Sequence, residues 1–143
     1  MDDLQRFVDA QDPVIDTVLA ELRDGRKRSH WMWFIFPQLR ALGRSETAVF
    51  YGLEDITEAQ VYLVHPVLGP RLLECVEAAM TGYPKTAHQI FGSPDDLKFR
   101  SSLTLFSEVN GAPPVFGLAL GTFYDGPDLV TLRLLQDEDR NAE

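Results

Sequence analysis

The chain has 143 residues, is 45% hydrophobic and 24% charged, and carries a formal net charge of −9. A length of this order makes one domain, burying about two thirds of the surface its unfolded chain exposes. The acidic balance excludes a nucleic acid duplex as a partner, because such binding depends on neutralising phosphates, and the absence of any apolar run near the roughly 20 residues that span a bilayer excludes a membrane.

Helix signals recur along the chain. Asp12-Pro13 pairs an N-cap with a proline at the first helical position, and Val14, Ile15, Val18, Leu19 and Leu22 then form one stripe that Gly25 ends. Arg26-Lys27-Arg28-Ser29-His30 leads into Trp31-Met32-Trp33-Phe34-Ile35-Phe36 and Pro37-Gln38. Gly43 and Ser45 bracket the start of a short helix, and Thr57 with Gln60 reads as a capping box ahead of Val61 and Leu63. Pro66 opens a helix whose apolar face is Leu68, Leu72, Cys75, Val76 and Ala79, with Glu74 and Glu77 opposite and Gly82 at its end. Ser93-Pro94-Asp95-Asp96 starts another that runs to about Val109, its two carboxylates at the positive end of the helix dipole. Val115 to Phe123 and Leu129 to Leu135 complete the set, the latter capped by Asp128, and residues 136–143 form a polar, frayed tail. Strand-length alternation is missing throughout. The expected architecture is all-α: one domain over residues 1–143, with a core over about 4–135 and seven to nine mostly short helices.

Charge is unevenly distributed. Between residues 23 and 44, Arg23, Arg26, Lys27, Arg28, Arg40 and Arg44 face only Asp24, a local sum of +5 against −14 for the remainder. This patch attracts a small anion even on an acidic protein. The single cysteine, Cys75, leaves no pair for an internal disulfide, and the opening Asp2-Asp3 has no apolar stretch behind it. Both point to the cytoplasm.

Two constellations carry possible chemistry. The first is the aromatic segment, where each buried ring is worth on the order of 4–6 kcal/mol at most. As a helix it is apolar all round, so core packing claims most of its rings, while a buried strand is the competing local form. Trp31 and Trp33 are also stacking platforms, and His30 and Gln38 stand at the polar rim. The second is the helix after Ser93. Its apolar sector of Phe99, Leu103, Leu105, Phe106 and Val109 also takes in Lys98 and Ser102, four residues apart. An unpaired buried ammonium is costly, so Lys98 either finds a carboxylate, lines a pocket or snorkels to the helix edge. His30, His65 and His88 lack the spacing of a zinc motif, Cys75 sits mid-stripe as an inert thiol, and Phe91-Gly92-Ser93-Pro94 is not a phosphate loop. No metal and no cofactor is expected.

The segments LQRFVDAQ (4–11), GRKRSHWMWFIFPQL (25–39), YLVHPVLGPRL (62–72) and IFGSPDDLKFRSSLTLF (90–106) resemble the bacterial domain-of-unknown-function family 1810. That resemblance spans nearly everything from Leu4 to Leu135. It implies a compact, armadillo-like or orthogonal helical array, and it brings no reaction, cofactor or catalytic residue.

Two functional classes follow. One is a soluble protein that binds a small, nucleotide-like anion near His30–Gln38. Trp31 or Trp33 would form the wall, His30 and Gln38 the polar edge, Lys98 and Ser102 the far side, and Arg26 or Arg28 would hold a phosphate. Its catalytic form is a hydrolase with His30 as acid–base and Lys98 as the other candidate, although no nucleophile is legible. The other class is a non-catalytic interaction module that docks a partner protein through the aromatic–basic segment, as Trp and Arg do at interface hot spots. Neither class fixes an oligomeric state.

Overall fold

A computed structural model describes residues 4–142 as ten α-helices and no strand among those residues. In chain order they are α1 (Gln5–Gln11), α2 (Ile15–Arg23), α3 (Met32–Ile35), α4 (Glu46–Phe50), α5 (Ile56–Val64), α6 (Leu68–Met80), α7 (Ala87–Phe91), α8 (Asp95–Ser107), α9 (Val115–Phe123) and α10 (Leu129–Ala142), with a 3-10 turn at Arg40–Leu42. This is an all-α protein with more helices than the seven to nine expected. The shortest, α3, α4 and α7, have five residues or fewer, too short to be stable alone, so packing rather than propensity makes them. None of the described helices is long and apolar enough to cross a membrane.

Helix α8 organises the core, packing against α3, α5, α7, α9 and α10. Its Phe99, Leu103, Leu105 and Phe106 are buried, as its apolar sector requires. Phe36 brings the aromatic segment onto this helix, with its ring 4.8 Å from Phe99 and 5.9 Å from Phe91. Trp31 is buried beside it, the two rings 6.1 Å apart. The segment therefore divides: Trp31 and Phe36 join the core, while Trp33 and Phe34 remain partly exposed. It is one helical turn rather than a strand. Phe36 leaves helical angles (φ −122°, ψ 74°) immediately before Pro37, where proline disfavours a helical predecessor.

Helix starts differ from expectation at two places. Asp12 keeps helical angles and closes α1, its N–H donating to the Val8 carbonyl. It therefore lacks the extended backbone of an N-cap, and α2 begins at Ile15 with no side-chain cap. Thr57 lies inside α5, and Asp55, with extended angles, caps that helix by accepting from the Glu58 N–H at 2.9 Å. The reciprocal capping box is found at Thr86 and Gln89 instead. Three other starts agree with the sequence: Ser45 caps α4, Pro94 precedes α8, and Asp128 caps α10 by accepting from the Thr131 N–H at 3.1 Å and its hydroxyl at 2.6 Å. Helix α10 continues beyond Leu135 to Ala142, into the stretch expected as a polar tail.

One short parallel bridge matters for the site. Leu39 pairs with Leu53, the Arg40 N–H donating to the Leu53 carbonyl (2.7 Å) and the Leu53 N–H to the Gln38 carbonyl (2.9 Å). Gly52 permits the approach, since a Cβ there would lie 2.4 Å from the Arg40 Cα.

Candidate ligand-binding groove

The basic loop between α2 and α3 is wound around a single carboxylate. Glu21, on the buried side of α2, accepts from the Arg28 N–H (2.7 Å), the Ser29 N–H (3.1 Å), the Ser29 hydroxyl (2.6 Å) and the Trp31 indole N–H (2.9 Å). Burial works against the charged form, yet these hydrogen bonds outweigh it and bring the Glu21 carboxyl down to about 2. With the loop fixed in this way, Arg26, Arg28 and His30 face solvent and Lys27 turns inward.

Lys27 reaches the first turn of α8. Its ammonium lies 3.0 Å from Asp95 Oδ2, and the Lys98 ammonium lies 3.1 Å from Asp95 Oδ1. Asp95 therefore joins two lysines, one on the loop and one on its own helix. Burial opposes its ionisation, but the bonds from Lys27 and Lys98 prevail and hold the carboxyl below the usual range. Each ammonium also lies over an indole: Lys27 is 5.2 Å from a Trp31 ring centroid, and Lys98 is 3.7 Å from that of Trp33. The cation on the apolar face of α8 is thus accounted for. It has a carboxylate partner, an aromatic face and a place in a groove wall.

That groove, about 570 Å³, lies between the chain around the 3-10 turn, helix α8 and the start of α10. Trp33 and Gln38 form one side, with Leu42, Gly43, Arg44 and Ser45 beyond them; Pro94, Leu97, Lys98 and Ser101 form the other, and Asp128 and Val130 close the end. Its walls are mostly apolar and its polar groups mostly donors. Among the described residues, the Arg44 guanidinium, the Gln38 amide and the Trp33 indole N–H make no hydrogen bond or ion pair. Asp128 is engaged by Thr131 and by the Ser101 hydroxyl (3.2 Å).

Of the residues singled out from sequence, Trp33, Gln38 and Lys98 come together in this groove. Trp31 is buried beneath Lys27, and Ser102 is buried in the core; its neighbour Ser101, turned by the 100° of one helical residue, lines the groove instead. His30 and Arg26 are exposed outside the lining, and Arg28 pairs with Asp24. Arg44, Lys27, Asp95 and Glu21 were not singled out for the site. The signal for Asp95 was its place three residues before Lys98, whereas nothing local separates Lys27 or Arg44 from the other basic residues. Two other titratable groups serve the fold. His65 Nδ1 accepts from the Val67 and Leu68 N–H groups at the start of α6, and burial pushes the Cys75 thiol up to about 12. No histidine hydrogen-bonds a serine or cysteine, and no group of three His, Cys, Asp or Glu gathers to hold a metal, among the described residues.

The family model described as Protein of unknown function (DUF1810) matches residues 1–135. The crystal structure of the conserved hypothetical protein Rv1873 from Mycobacterium tuberculosis, solved at 1.38 Å, is similar to this chain at 51% identity. The likeness has a TM-score of 0.91 and covers 94% of this chain and 96% of that one. Among curated proteins none matches. The family match covers α1 to α9 and the first half of α10, the motifs that build the groove included, and the chain belongs to the DUF1810 family.

Proposed function

We propose that this protein binds a small, nucleotide-like anion in the Trp33–Lys98 groove. The observation that carries this is the convergence of an aromatic face, a free amide and two cations, Lys98 and Arg44, on one mostly apolar groove of about 570 Å³. Concave sites of a few hundred Å³, apolar with a few placed polar groups, are the usual form of small-molecule sites. A planar base gains about 1–3 kcal/mol from stacking on an aromatic side chain, and its anionic group meets the Lys98 and Arg44 cations, the one lining carboxylate, Asp128, being engaged by Thr131 and Ser101. Trp33 supplies the ring, and Lys98 and Arg44 take the role that Arg26 or Arg28 holds in the sequence reading. His30 lies outside the lining, so we assign binding and no hydrolytic step.

The same reading places the protein in the cytoplasm, in keeping with its single buried thiol. It also describes the helices as an armadillo-like, orthogonal array, supported by the packing of chain neighbours: α5 on α6, α7 on α8 and α8 on α9.

Thermal-shift measurements with adenosine 5′-monophosphate, adenosine 5′-diphosphate, adenosine and inorganic phosphate test the proposal. Ligand at a hundredfold excess over Kd stabilises the fold by about 2.7 kcal/mol, which raises Tm by about 5–10 °C at this size. Trp33→Leu is expected to abolish the shift. A flat response to every nucleotide at millimolar concentration overturns it.

A second reading, a non-catalytic module docking a partner protein, is favoured by one observation: Leu97 and Val130, in the groove wall, remain 58% and 50% exposed. Selective recovery of a partner that Leu97→Asp abolishes, with no nucleotide shift in the wild type, is the outcome that would choose it.

A further inference from the structure

Resting on that reading, we propose that Lys98 is a displaceable counter-ion, and that the groove selects a planar ring carrying a single phosphate. Lys98 covers one face of Trp33, with its ammonium 3.7 Å from the ring centroid. A base that stacks on this face must move it. Ordinarily such a movement would strand Asp95 as a half-buried carboxylate without a partner, which is strongly unfavourable. Asp95 has a second lysine, however. Lys27, whose side chain is only 8% exposed, stays 3.0 Å from the other carboxylate oxygen and neutralises it. Lys98, at 20% exposure and at the groove wall, is the partner free to leave.

The charges then set the ligand class. With Lys27 and Asp95 neutralising each other, Lys98 and Arg44 are the two cations available in the groove. A phosphate monoester carries a charge of about −1.5 to −2, which two cations match. A polyphosphate exceeds them and brings the excess towards Asp128 in the same wall. Exchange is therefore expected to place the base on Trp33 and the phosphate between Lys98 and Arg44.

Calorimetric titration of wild type and Lys98→Ala with adenosine 5′-monophosphate and with adenosine separates the possibilities. Exchange gives changes of opposite sign. The variant loses a phosphate contact, so the monophosphate binds about tenfold or more weakly. It also uncovers Trp33, so uncharged adenosine binds severalfold more tightly. If adenosine is unaffected, Lys98 is a fixed anchor and exchange is overturned; if both ligands weaken alike, Lys98 supports the groove structurally and exchange is again overturned. Either result leaves the groove standing as a nucleotide site. Failure of wild type to bind the monophosphate at millimolar concentration removes the site and the exchange together. A measurement on the wild-type protein does not depend on the variant folding: the Lys98 ε-methylene proton resonances, shielded by the indole ring, move to ordinary lysine positions at saturating monophosphate. Shielding that persists at saturation overturns exchange.

Discussion

The Trp31 indole N–H donates to the Glu21 carboxylate at 2.9 Å, with both side chains buried. Three further donors from Arg28 and Ser29 converge on the same group, so a loop rich in cations is organised by one internal anion. Glu21→Ala leaves these donors without their acceptor, and each orphan that water does not reach costs about 1–3 kcal/mol. The variant is expected to lose about 3 kcal/mol of unfolding free energy in urea titration. A loss below about 1 kcal/mol would show that the loop has other sufficient supports.

The same carboxylate makes stability depend on pH in a definite direction. Folding lowers its pKa from 4.5 to about 2, so the unfolded chain binds the proton more tightly. The stabilisation is complete above about pH 4.5 and disappears as pH falls towards 2. That gap corresponds to about 3 kcal/mol. Asp95, held low against its burial by Lys27 and Lys98, adds to the loss in the same direction. Denaturant midpoints are expected to hold level between pH 7 and 5 and then fall steeply. In Glu21→Gln the curve starts lower and is flatter between pH 4.5 and 2; an unchanged slope would assign the acid sensitivity to other carboxylates.

The long helices were legible because one stripe of side chains must be buried and the pattern repeats for several turns. This is why Leu68, Leu72, Cys75, Val76 and Ala79 read correctly in α6, and why α9 runs over Val115–Phe123 as expected. Short helices carry no such repeat. The ends of α3 depend on Trp31 meeting Glu21, ten residues away, and on Pro37, and the first of these is a tertiary choice. Lys98 stood out because a cation in an apolar sector needs a reason. Lys27 did not, because its neighbours Arg26 and Arg28 are equally basic and only the fold decides which one is turned inward. Arg44 is likewise ordinary in sequence and distinctive only beside the groove.

Gly52 links the fold to the groove. A Cβ at this position would lie 2.4 Å from the Arg40 Cα and 2.7 Å from its Cβ, so Gly52→Ala must push apart the backbones that the Leu39–Leu53 bridge joins. Overpacking of this kind costs about 1–3 kcal/mol. Because the bridge also fixes Gln38 through the Leu53 N–H, nucleotide affinity is expected to fall with stability. Gly69→Ala provides the control: its Cβ would lie 2.1 Å from the Leu63 carbonyl oxygen, away from the groove, and should lower Tm while leaving affinity intact. Equal loss of affinity in both variants would mean that general destabilisation, not the bridge, is being measured.

Sharing of Asp95 by two lysines predicts a specific failure of additivity. In Lys27→Met the carboxylate keeps Lys98, and in Lys98→Met it keeps Lys27. Each single substitution therefore leaves a paired ion and is expected to cost no more than about 1–2 kcal/mol, near the value of one charge-assisted hydrogen bond. The double substitution leaves a half-buried carboxylate without a cation, a condition that costs about 3–5 kcal/mol when a buried pair is broken. The double-mutant cycle should then show the pair losing at least about 1 kcal/mol more than the sum of the singles, within the range seen for residues in one network. Simple additivity would mean that water already neutralises Asp95 as well as either lysine does. Adding Asp95→Asn to the double variant checks the cause, because removing the stranded charge should restore most of the excess loss.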